Sequence, residues 1–375
     1  MKKHGLTTLA FTLALCGSIS AYSAEKSSSF LVMDCITGTP LVQQNQFDIV
    51  NPSDHIRLMT LLTAFDLMRA KDLTGNESVA IYHHDVKDAR SEQSIGLKEG
   101  DRIPLNDLLR AVAITGAQDA SLAVASFLGA TRHDFVDAMN RTAGRSGMQR
   151  SSFTSPIADV DQQSCAYDLA LLTKELQTQY SDRLNWFFEK SFVFKSKTYK
   201  NTNRSIQSNT IKNDYFVSKS SNDVILSYKD TDATRQVQRC FISVVLTEPK
   251  TAFNSAMNLL RNAVVDFNIV KLYSPNQAIA SVKLINGSQD TITVGSPSSV
   301  YISLHKNQIS KDLVNHLQAR VEYAGPVSAP IKHGQPVGEL IIELDKVLIG
   351  RFPVVSLETI ELGHLSDRLK SAVQH

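Results

Sequence analysis

The sequence is poor in the features that mark membrane-spanning, metal-binding and nucleic-acid-binding proteins. After the N-terminus no segment approaches about 18 uninterrupted apolar residues, the length that a transmembrane helix needs. Only 4 of the 375 residues are cysteine, and their spacings match no metal-binding pattern. The formal net charge is +2 and like charges form no long block, which argues against binding nucleic acid through bulk positive charge. We therefore expect no cofactor and no nucleic-acid partner.

Two histidine-containing clusters offer side chains that are able to bind a metal ion. These are His83-His84-Asp85 and His133-Asp134. No third ligand stands at a recognisable spacing from either cluster, so we interpret the histidines as exposed loop residues and predict no metal site.

The first 23 residues have the composition of an export signal. Met1–His4 is basic, and Leu6–Ile19 is apolar or small but too short to span a bilayer. Cleavage after Ser23 would place small residues, Ala21 and Ser23, at the positions that matter for cleavage. We predict a signal peptide over 1–23, and the alternative is a retained N-terminal anchor.

Removal of this signal leaves an odd number of cysteines. Cys16 is lost with it, while Cys35, Cys165 and Cys240 stay in the mature chain. In an oxidising compartment such a count permits one disulfide and one leftover thiol. The sequence leaves open whether any pair forms, since each cysteine is also explained as a small buried side chain.

Hydrophobic periodicity divides the mature chain into a mixed α/β domain over 24–271 and a β-rich domain over 272–360. Apolar residues stand at helical spacing in the first part, whereas the second consists of short apolar segments separated by turn residues. The predicted helices begin near Asp54 and then cover Leu105–Ile114, Gln118–Leu128, His133–Ala143, Tyr167–Leu176 and Thr251–Phe267, and the predicted strands cover Phe30–Asp34, Phe241–Leu246, Ile279–Leu284, Thr291–Val294, Val300–Leu304, Leu317–Tyr323, Leu340–Leu344 and Val347–Phe352.

Several segments occur in the order in which they stand in a known family. Met33-Asp34, Thr37-Gly38-Thr39-Pro40 and Asn51-Pro52 are followed by Leu58-Met59-Thr60 and, farther on, by Asp119-Ala120. This series resembles the low-molecular-mass D-alanyl-D-alanine carboxypeptidases (peptidase S11) of the penicillin-binding protein 5 type, over nearly the whole mature chain. The resemblance implies an α/β penicillin-recognising domain of the β-lactamase and transpeptidase type, followed by a small β-sandwich-like domain, in a periplasmic protein.

The three catalytic motifs of that family are altered at the matching positions of this sequence. The Met-Thr that follows the family's Ser-x-x-Lys motif fixes the register, and it puts Asp54 at the serine position and Arg57 at the lysine position. In the Ser-x-Asn motif, Gly116 and Gln118 replace the serine and the asparagine. The Lys-Thr-Gly motif corresponds to Lys219-Ser220-Ser221, which keeps the lysine and loses the glycine.

These replacements remove the groups on which the family's reaction depends. In the family, a serine hydroxyl attacks the peptide carbonyl, and a neutral lysine one helical turn away takes its proton. A carboxylate attack by Asp54 would give a high-energy mixed anhydride, and the guanidinium of Arg57 stays protonated because its pKa lies above ~12. We therefore predict a catalytically inactive or strongly impaired protein that binds peptidoglycan stem peptides or a cell-wall enzyme.

The residues proposed for binding come from the same motifs. The resemblance implies that Lys219, with Ser220 and Ser221 beside it, and Arg57 attract the carboxylate of a D-Ala-terminated peptide. The alternative for Lys219 is a solvated strand lysine. Asp54 and Arg57 form either an ion pair across one helical turn or two ordinary surface charges.

Two other functions stay open at this point. One is an active carboxypeptidase that trims the terminal D-Ala of peptidoglycan pentapeptides with an unconventional nucleophile. However, Ser303-Leu304-His305-Lys306 matches Ser-x-x-Lys only by its letters, in a predicted strand whose first and fourth side chains point to opposite faces. Ser53 has His55 nearby but no orienting partner. The other function is a partner-binding protein that acts through its β domain.

The C-terminal segment 361–375 resembles the amphipathic tail of the family only weakly. Four apolar residues from Leu362 to Val373 stand at roughly helical spacing. The segment is short, contains Gly363 and lacks aromatic residues, and binding to a membrane surface scales with buried apolar area. We expect weak attachment or none to the outer surface of the inner membrane.

Overall fold

The computed structural model describes residues 28–203, 215–232, 237–248, 250–310 and 312–363. The predicted signal peptide and all but the first residues of the predicted tail therefore lie outside the described residues. Within the described ranges, no helix is both long enough and apolar enough to cross a bilayer.

The elements are numbered in chain order over the described residues. The strands are β1 (Ser29–Asp34), β2 (Pro40–Gln44), β3 (Ser78–Ala80), β4 (Arg102–Pro104), β5 (Ser191–Phe194), β6 (Lys197–Lys200), β7 (Tyr215–Lys219), β8 (Val224–Asp232), β9 (Val237–Leu246), β10 (Phe267–Tyr273), β11 (Ala278–Ile285), β12 (Thr291–Gly295), β13 (Val300–His305), β14 (Leu317–Glu322), β15 (Val327–Ser328), β16 (Pro336–Leu344) and β17 (Val347–Ser356). The helices are α1 (Ile56–Ala70), α2 (His83–Lys87), α3 (Leu105–Thr115), α4 (Gln118–Leu128), α5 (Arg132–Arg145), α6 (Ala166–Gln179), α7 (Ala252–Asp266) and α8 (Leu313–His316), with 3₁₀ turns at Ser53–His55, Ser91–Gln93, Arg183–Phe188 and Lys306–Gln308.

The first domain is an antiparallel sheet with helices on both faces. The strand order is β2-β1-β9-β8-β7. Because side chains alternate along a strand, Ile225 of β8 faces the large helical layer, while its neighbours Val224 and Leu226 face α7. Helix α1 is buried at every position from Ile56 to Phe65, so it runs through the middle of the helical layer.

A disulfide joins Cys35 to Cys240, whose Cα atoms are 5.2 Å apart. The pairing follows from the sheet register. Asp34 of β1 lies opposite Phe241 of β9. Because the strands are antiparallel, Cys35, which follows Asp34, faces Cys240, which precedes Phe241. Cys165 is a buried free thiol.

The second domain is all β apart from short helical turns among its described residues. Its six-stranded sheet has the order β14-β16-β17-β12-β11-β15, and β10 pairs separately with β13. Apolar residues of β13, such as Ile302, pack against β16 and β17 to form the core. Strand β10 starts directly after α7 and crosses the predicted boundary at 271/272. A mixed α/β domain followed by a small all-β domain confirms the predicted fold class.

Candidate functional site

A cleft opens where the start of α1, the turn between α3 and α4, and the end of β7 meet. It brings together Asp54, Arg57, Gly116, Gln118 and Lys219. These residues come from three motifs that are far apart in the sequence. The fold therefore places the altered motif positions around one common space.

The first motif position is built by a tight turn ahead of α1. The N–H of Ser53 donates to Asn51 Oδ1 at 2.8 Å, and Ser53 has a left-handed φ of 52°, which is uncommon for a residue other than glycine. A 3₁₀ turn follows, and the α-helix begins only at Ile56. Asp54 therefore lies in the turn, half-buried, while Arg57 lies in the first turn of α1.

Arg57 is a buried cation without a carboxylate partner among the described residues. Its side chain lines the cleft, yet the residue is only 6% exposed. Its Nη1 donates to Thr202 Oγ1 at 3.4 Å, its guanidinium carbon lies 5.7 Å from the ring centroid of Phe187, and its Nε has no hydrogen-bond partner. Instead of the ion pair considered from the sequence, the neighbours of Arg57 are a neutral hydroxyl and an aromatic ring.

The charge of Arg57 persists at neutral pH. Burial lowers the pKa of Arg57 to about 10, an effect that the negative charge of Asp54 partly opposes. The guanidinium is thus protonated under physiological conditions and does not accept a proton from a nucleophile.

The second motif position leaves space beside this guanidinium. Gly116 ends α3 in the left-handed conformation, with φ 70°. A Cβ atom built on Gly116 would lie 3.7 Å from Nη1 of Arg57, so the missing side chain keeps that nitrogen open toward the cleft. Gln118 has a different role. Its Oε1 accepts from the N–H of Arg90 at 3.1 Å and its Nε2 donates to Gln93, so its amide holds the neighbouring 3₁₀ turn against the cleft.

The third motif position shows which way each side chain of β7 points. Ser218 Oγ lies 2.8 Å from Nδ1 of His55, and Ser220 Oγ lies 2.9 Å from Ser53 Oγ, so these two serines face the start of α1. Lys219 lies between them and faces the other side of the sheet, where its Nζ is 5.9 Å from the ring centroid of Phe253. Lys219 still lines the edge of the cleft, and Ser221 is exposed in the following turn.

The contact between Ser218 and His55 is the pairing of a hydroxyl with an imidazole that the sequence did not reveal. Both residues are 0% exposed, and neither lines the cleft. Burial, and then the charge of Arg57, lowers the pKa of His55 to about 3, so the ring is neutral. The pair lies beneath the site, where a substrate carbonyl has no access.

The other sequence candidates lie elsewhere. Ser303 belongs to β13 of the second domain. His83 contacts Glu99 at 3.3 Å and His133 contacts Asp137 at 3.8 Å, all with exposed side chains. In the described part of the chain, no three His, Cys, Asp or Glu residues are grouped so that they could hold a metal ion.

Each of the two domains matches a model of a known protein family. The family model described as D-alanyl-D-alanine carboxypeptidase matches residues 18–246, and the model of the penicillin-binding protein 5 C-terminal domain matches residues 267–362. The D-alanyl-D-alanine carboxypeptidase DacF of Bacillus subtilis is 24% identical over 371 residues, which cover 94% of this chain and 91% of the relative. The carboxypeptidase DacD of Escherichia coli is 26% identical, with 93% and 90% covered.

A solved structure shows the same architecture. Penicillin-binding protein 5 from Haemophilus influenzae superposes with a TM-score of 0.71 at 20% identity, covering 89% of this chain and 97% of that one. At this identity the likeness shows the fold alone.

Proposed function

This chain belongs to the D-alanyl-D-alanine carboxypeptidase family, and we propose that it binds the carboxylate end of peptidoglycan stem peptides without cleaving them. The relatives carry out a serine-type reaction on the same class of peptide. The proposed location is the periplasm, reached through the predicted signal peptide over 1–23. In this proposal the cleft still binds the peptides on which the relatives act, but it does not carry out acyl transfer on them.

The buried guanidinium of Arg57 is the observation that carries this proposal. Burying a charge is costly unless an opposite charge or a full set of hydrogen bonds accompanies it. Arg57 has one long hydrogen bond to a neutral hydroxyl and an unpartnered Nε. A carboxylate in the cleft would supply the missing counter-charge, since guanidinium and carboxylate groups pair with matched, directional hydrogen bonds.

The absence of cleavage in this proposal follows from the chemistry of the same positions. Asp54 offers a carboxylate where acyl transfer needs an alcohol, and Arg57 offers a permanent cation where a proton acceptor is needed. The hydroxyl of Ser218 does have a neutral imidazole beside it, but both groups are fully buried. We therefore expect peptide binding without formation of an acyl-enzyme.

The first test is covalent labelling of the purified protein with a fluorescent penicillin. An active family member treated in parallel should give a fluorescent band on a denaturing gel, and this chain should give none. A stoichiometric band from this chain would mean that it has a working nucleophile, and the active-carboxypeptidase alternative would then hold.

The second test is calorimetry with an N-acylated peptide ending in D-Ala-D-Ala and with its C-terminal amide. We expect the acid to bind at least tenfold more tightly than the amide, a difference of about 1.4 kcal/mol. Arg57→Met should abolish that difference, whereas the control Arg141→Met, at an exposed position of α5, should keep it.

Two results would contradict the proposal. Equal binding of acid and amide would show that the carboxylate is not recognised. If neither peptide binds at all, the cleft is closed to this ligand, and a partner-binding role through the β domain becomes the better explanation.

A further inference from the structure

A second surface of the first domain, which we call the Tyr82 platform, consists of Tyr82, His84, Ser126, Thr131 and Arg132. These residues line an open pocket. The rings of Tyr82 and His84 are stacked, with centroids 5.6 Å apart and an angle of 4° between their planes. Tyr82 is nevertheless 54% exposed. The stacked pair is therefore in contact with solvent through the ring of Tyr82.

One buried carboxylate holds the platform together. Asp85 is 0% exposed; it accepts the N–H of Tyr82 at 3.0 Å and the hydroxyl of Ser126 at 2.7 Å. Arg132 lies 3.4 Å from the same carboxylate. The backbone of Tyr82, the hydroxyl of Ser126 and the guanidinium of Arg132 are thus held in place without a ligand, which lowers the entropic cost of binding one.

The charges of the platform favour a neutral ligand. Arg132 is paired with Asp85 and, at 2.7 Å, with Asp88, so it is not an open anion site of the kind that Arg57 provides. What the pocket offers is an aromatic face surrounded by hydrogen-bonding groups. A sugar ring matches it, because its C–H face is apolar and its edge carries hydroxyl and amide groups.

The platform and the cleft that contains Arg57 each share a lining residue with the same third hollow. Pro156 lines both the cleft and this hollow, and Arg132 lines both the hollow and the platform. Helix α4 indicates the distance between the cleft and the platform, because Gln118 lines the cleft and Ser126 lines the platform. These residues are eight positions apart, or about 12 Å along a helix. An extended peptide of five residues spans at most about 17 Å, which is enough to cover this distance.

We propose that the Tyr82 platform binds the amino sugar to which a peptidoglycan stem peptide is attached, while the peptide's carboxylate occupies the cleft. In such a ligand the sugar and the terminal carboxylate lie at opposite ends of a short peptide, as do the platform and Arg57. This inference rests on the proposed function for the direction of the peptide, but the sugar subsite stands on its own residues.

The test compares a disaccharide pentapeptide with the same pentapeptide without sugar, by calorimetry. The wild-type protein should bind the sugar-bearing ligand about 3- to 10-fold more tightly, the range expected for one well-stacked aromatic contact. Tyr82→Ala should remove this gain and leave binding of the sugar-free peptide unchanged. The control Tyr323→Ala, at a tyrosine of the second domain that is 40% exposed, should keep the gain.

A further arm separates failure of the platform from failure of the cleft. Tetra-N-acetylchitotetraose alone should give saturation-transfer NMR signals with the wild-type protein and with Arg57→Met, and weaker signals with Tyr82→Ala and with the second variant His84→Ala. If both pentapeptide ligands fail to bind but chitotetraose behaves in this way, the cleft proposal fails and the platform stands. An unchanged gain or unchanged signals in folded Tyr82→Ala and His84→Ala would overturn the platform.

Discussion

Replacing Arg57 by methionine should make the free protein more stable. The substitution keeps an unbranched side chain of comparable length in the core of the first domain and removes a buried charge that has no carboxylate partner among the described residues. Most substitutions at buried positions destabilise a protein, so a gain in stability is a demanding prediction. It also addresses the proposed function, because a binding residue that costs stability is typical of a functional site.

The size of the gain follows from the pKa of Arg57. Burial lowers it to about 10 from an ordinary value of ~12.5, and at about 1.36 kcal/mol per pKa unit this corresponds to roughly 3 kcal/mol. At pH 7 the group is protonated in both the folded and the unfolded state, so the whole cost is present and is relieved only above pH 10. Against it stand one long hydrogen bond to Thr202 and the contact with Phe187, worth about 1–2 kcal/mol together. We expect a net gain of about 1–2 kcal/mol.

The assay is urea unfolding at pH 7, supported by calorimetric melting. A gain of this size should raise the melting temperature by about 2–8 °C for a domain of this length. Arg141→Met, the exposed control, should stay within about 0.5 kcal/mol of the wild-type protein. If Arg57→Met instead loses more than about 1 kcal/mol, the guanidinium already has an adequate partner in the free protein, and the argument for an anion in the cleft is wrong.

Three further predictions concern other parts of the first domain. Asp54→Ser combined with Arg57→Lys should not restore turnover of a D-Ala-D-Ala peptide, because the second and third motif positions stay altered; release of D-Ala at the rate of an active relative would contradict this. Burial raises the pKa of Asp34, so this carboxyl favours folding below the ordinary aspartate pKa and loses that contribution as the pH rises through its raised pKa. Asp34→Asn should therefore gain stability relative to the wild type between pH 4 and pH 7 in urea unfolding, and a difference that shrinks with rising pH would refute the reasoning. Replacing both Cys35 and Cys240 by serine removes a disulfide between residues 205 positions apart. The free energy of unfolding, measured by chemical denaturation, should fall by about 2–5 kcal/mol. A fall of less than about 1 kcal/mol would show that the disulfide does not stabilise the fold.

Among the described residues, local pattern predicted six of the eight helices but only eight of the seventeen strands. The segment Gln118–Leu128 was predicted as a helix with the bounds that α4 has, because Thr115-Gly116 interrupts the apolar periodicity ahead of it. Strand β10 was missed. It follows α7 without a turn, and only Phe267 and Ile269 among its residues are buried, so neither turn residues nor a regular alternation marked it.

The candidate site could be predicted only as a set of positions. The family register grouped Asp54, Arg57 and Gly116, but the contacts of Arg57 depend on details that spacing does not carry. Residues 53–55 form a 3₁₀ turn and α1 starts at Ile56, so the interval from Asp54 to Arg57 is not a regular α-helical turn, and of the two alternatives left open by the sequence the ion pair does not form.

The sequence also could not predict to which face of the sheet each side chain of β7 points. In a strand a shift of one residue moves every side chain to the opposite face, and a three-residue motif match does not fix that parity. The structure turns Lys219 toward Phe253 and turns Ser218 toward His55, which is 163 residues away in the chain. No local pattern could have predicted that contact.

Under the proposed function, an arginine at the position that matches the family's lysine accounts both for the absence of cleavage and for the binding of a carboxylate. A buried lysine relieves its desolvation by giving up its proton, and that same property makes it a base. A guanidinium stays protonated at neutral pH, so a buried one keeps an uncompensated charge until an anion binds. Gly116, which has no side chain, leaves space for such an anion beside Arg57. Under this proposal, Arg57→Met should both raise the stability of the free protein and weaken the binding of a carboxylate. A gain in stability with unchanged carboxylate binding would mean that the guanidinium and the ligand do not meet.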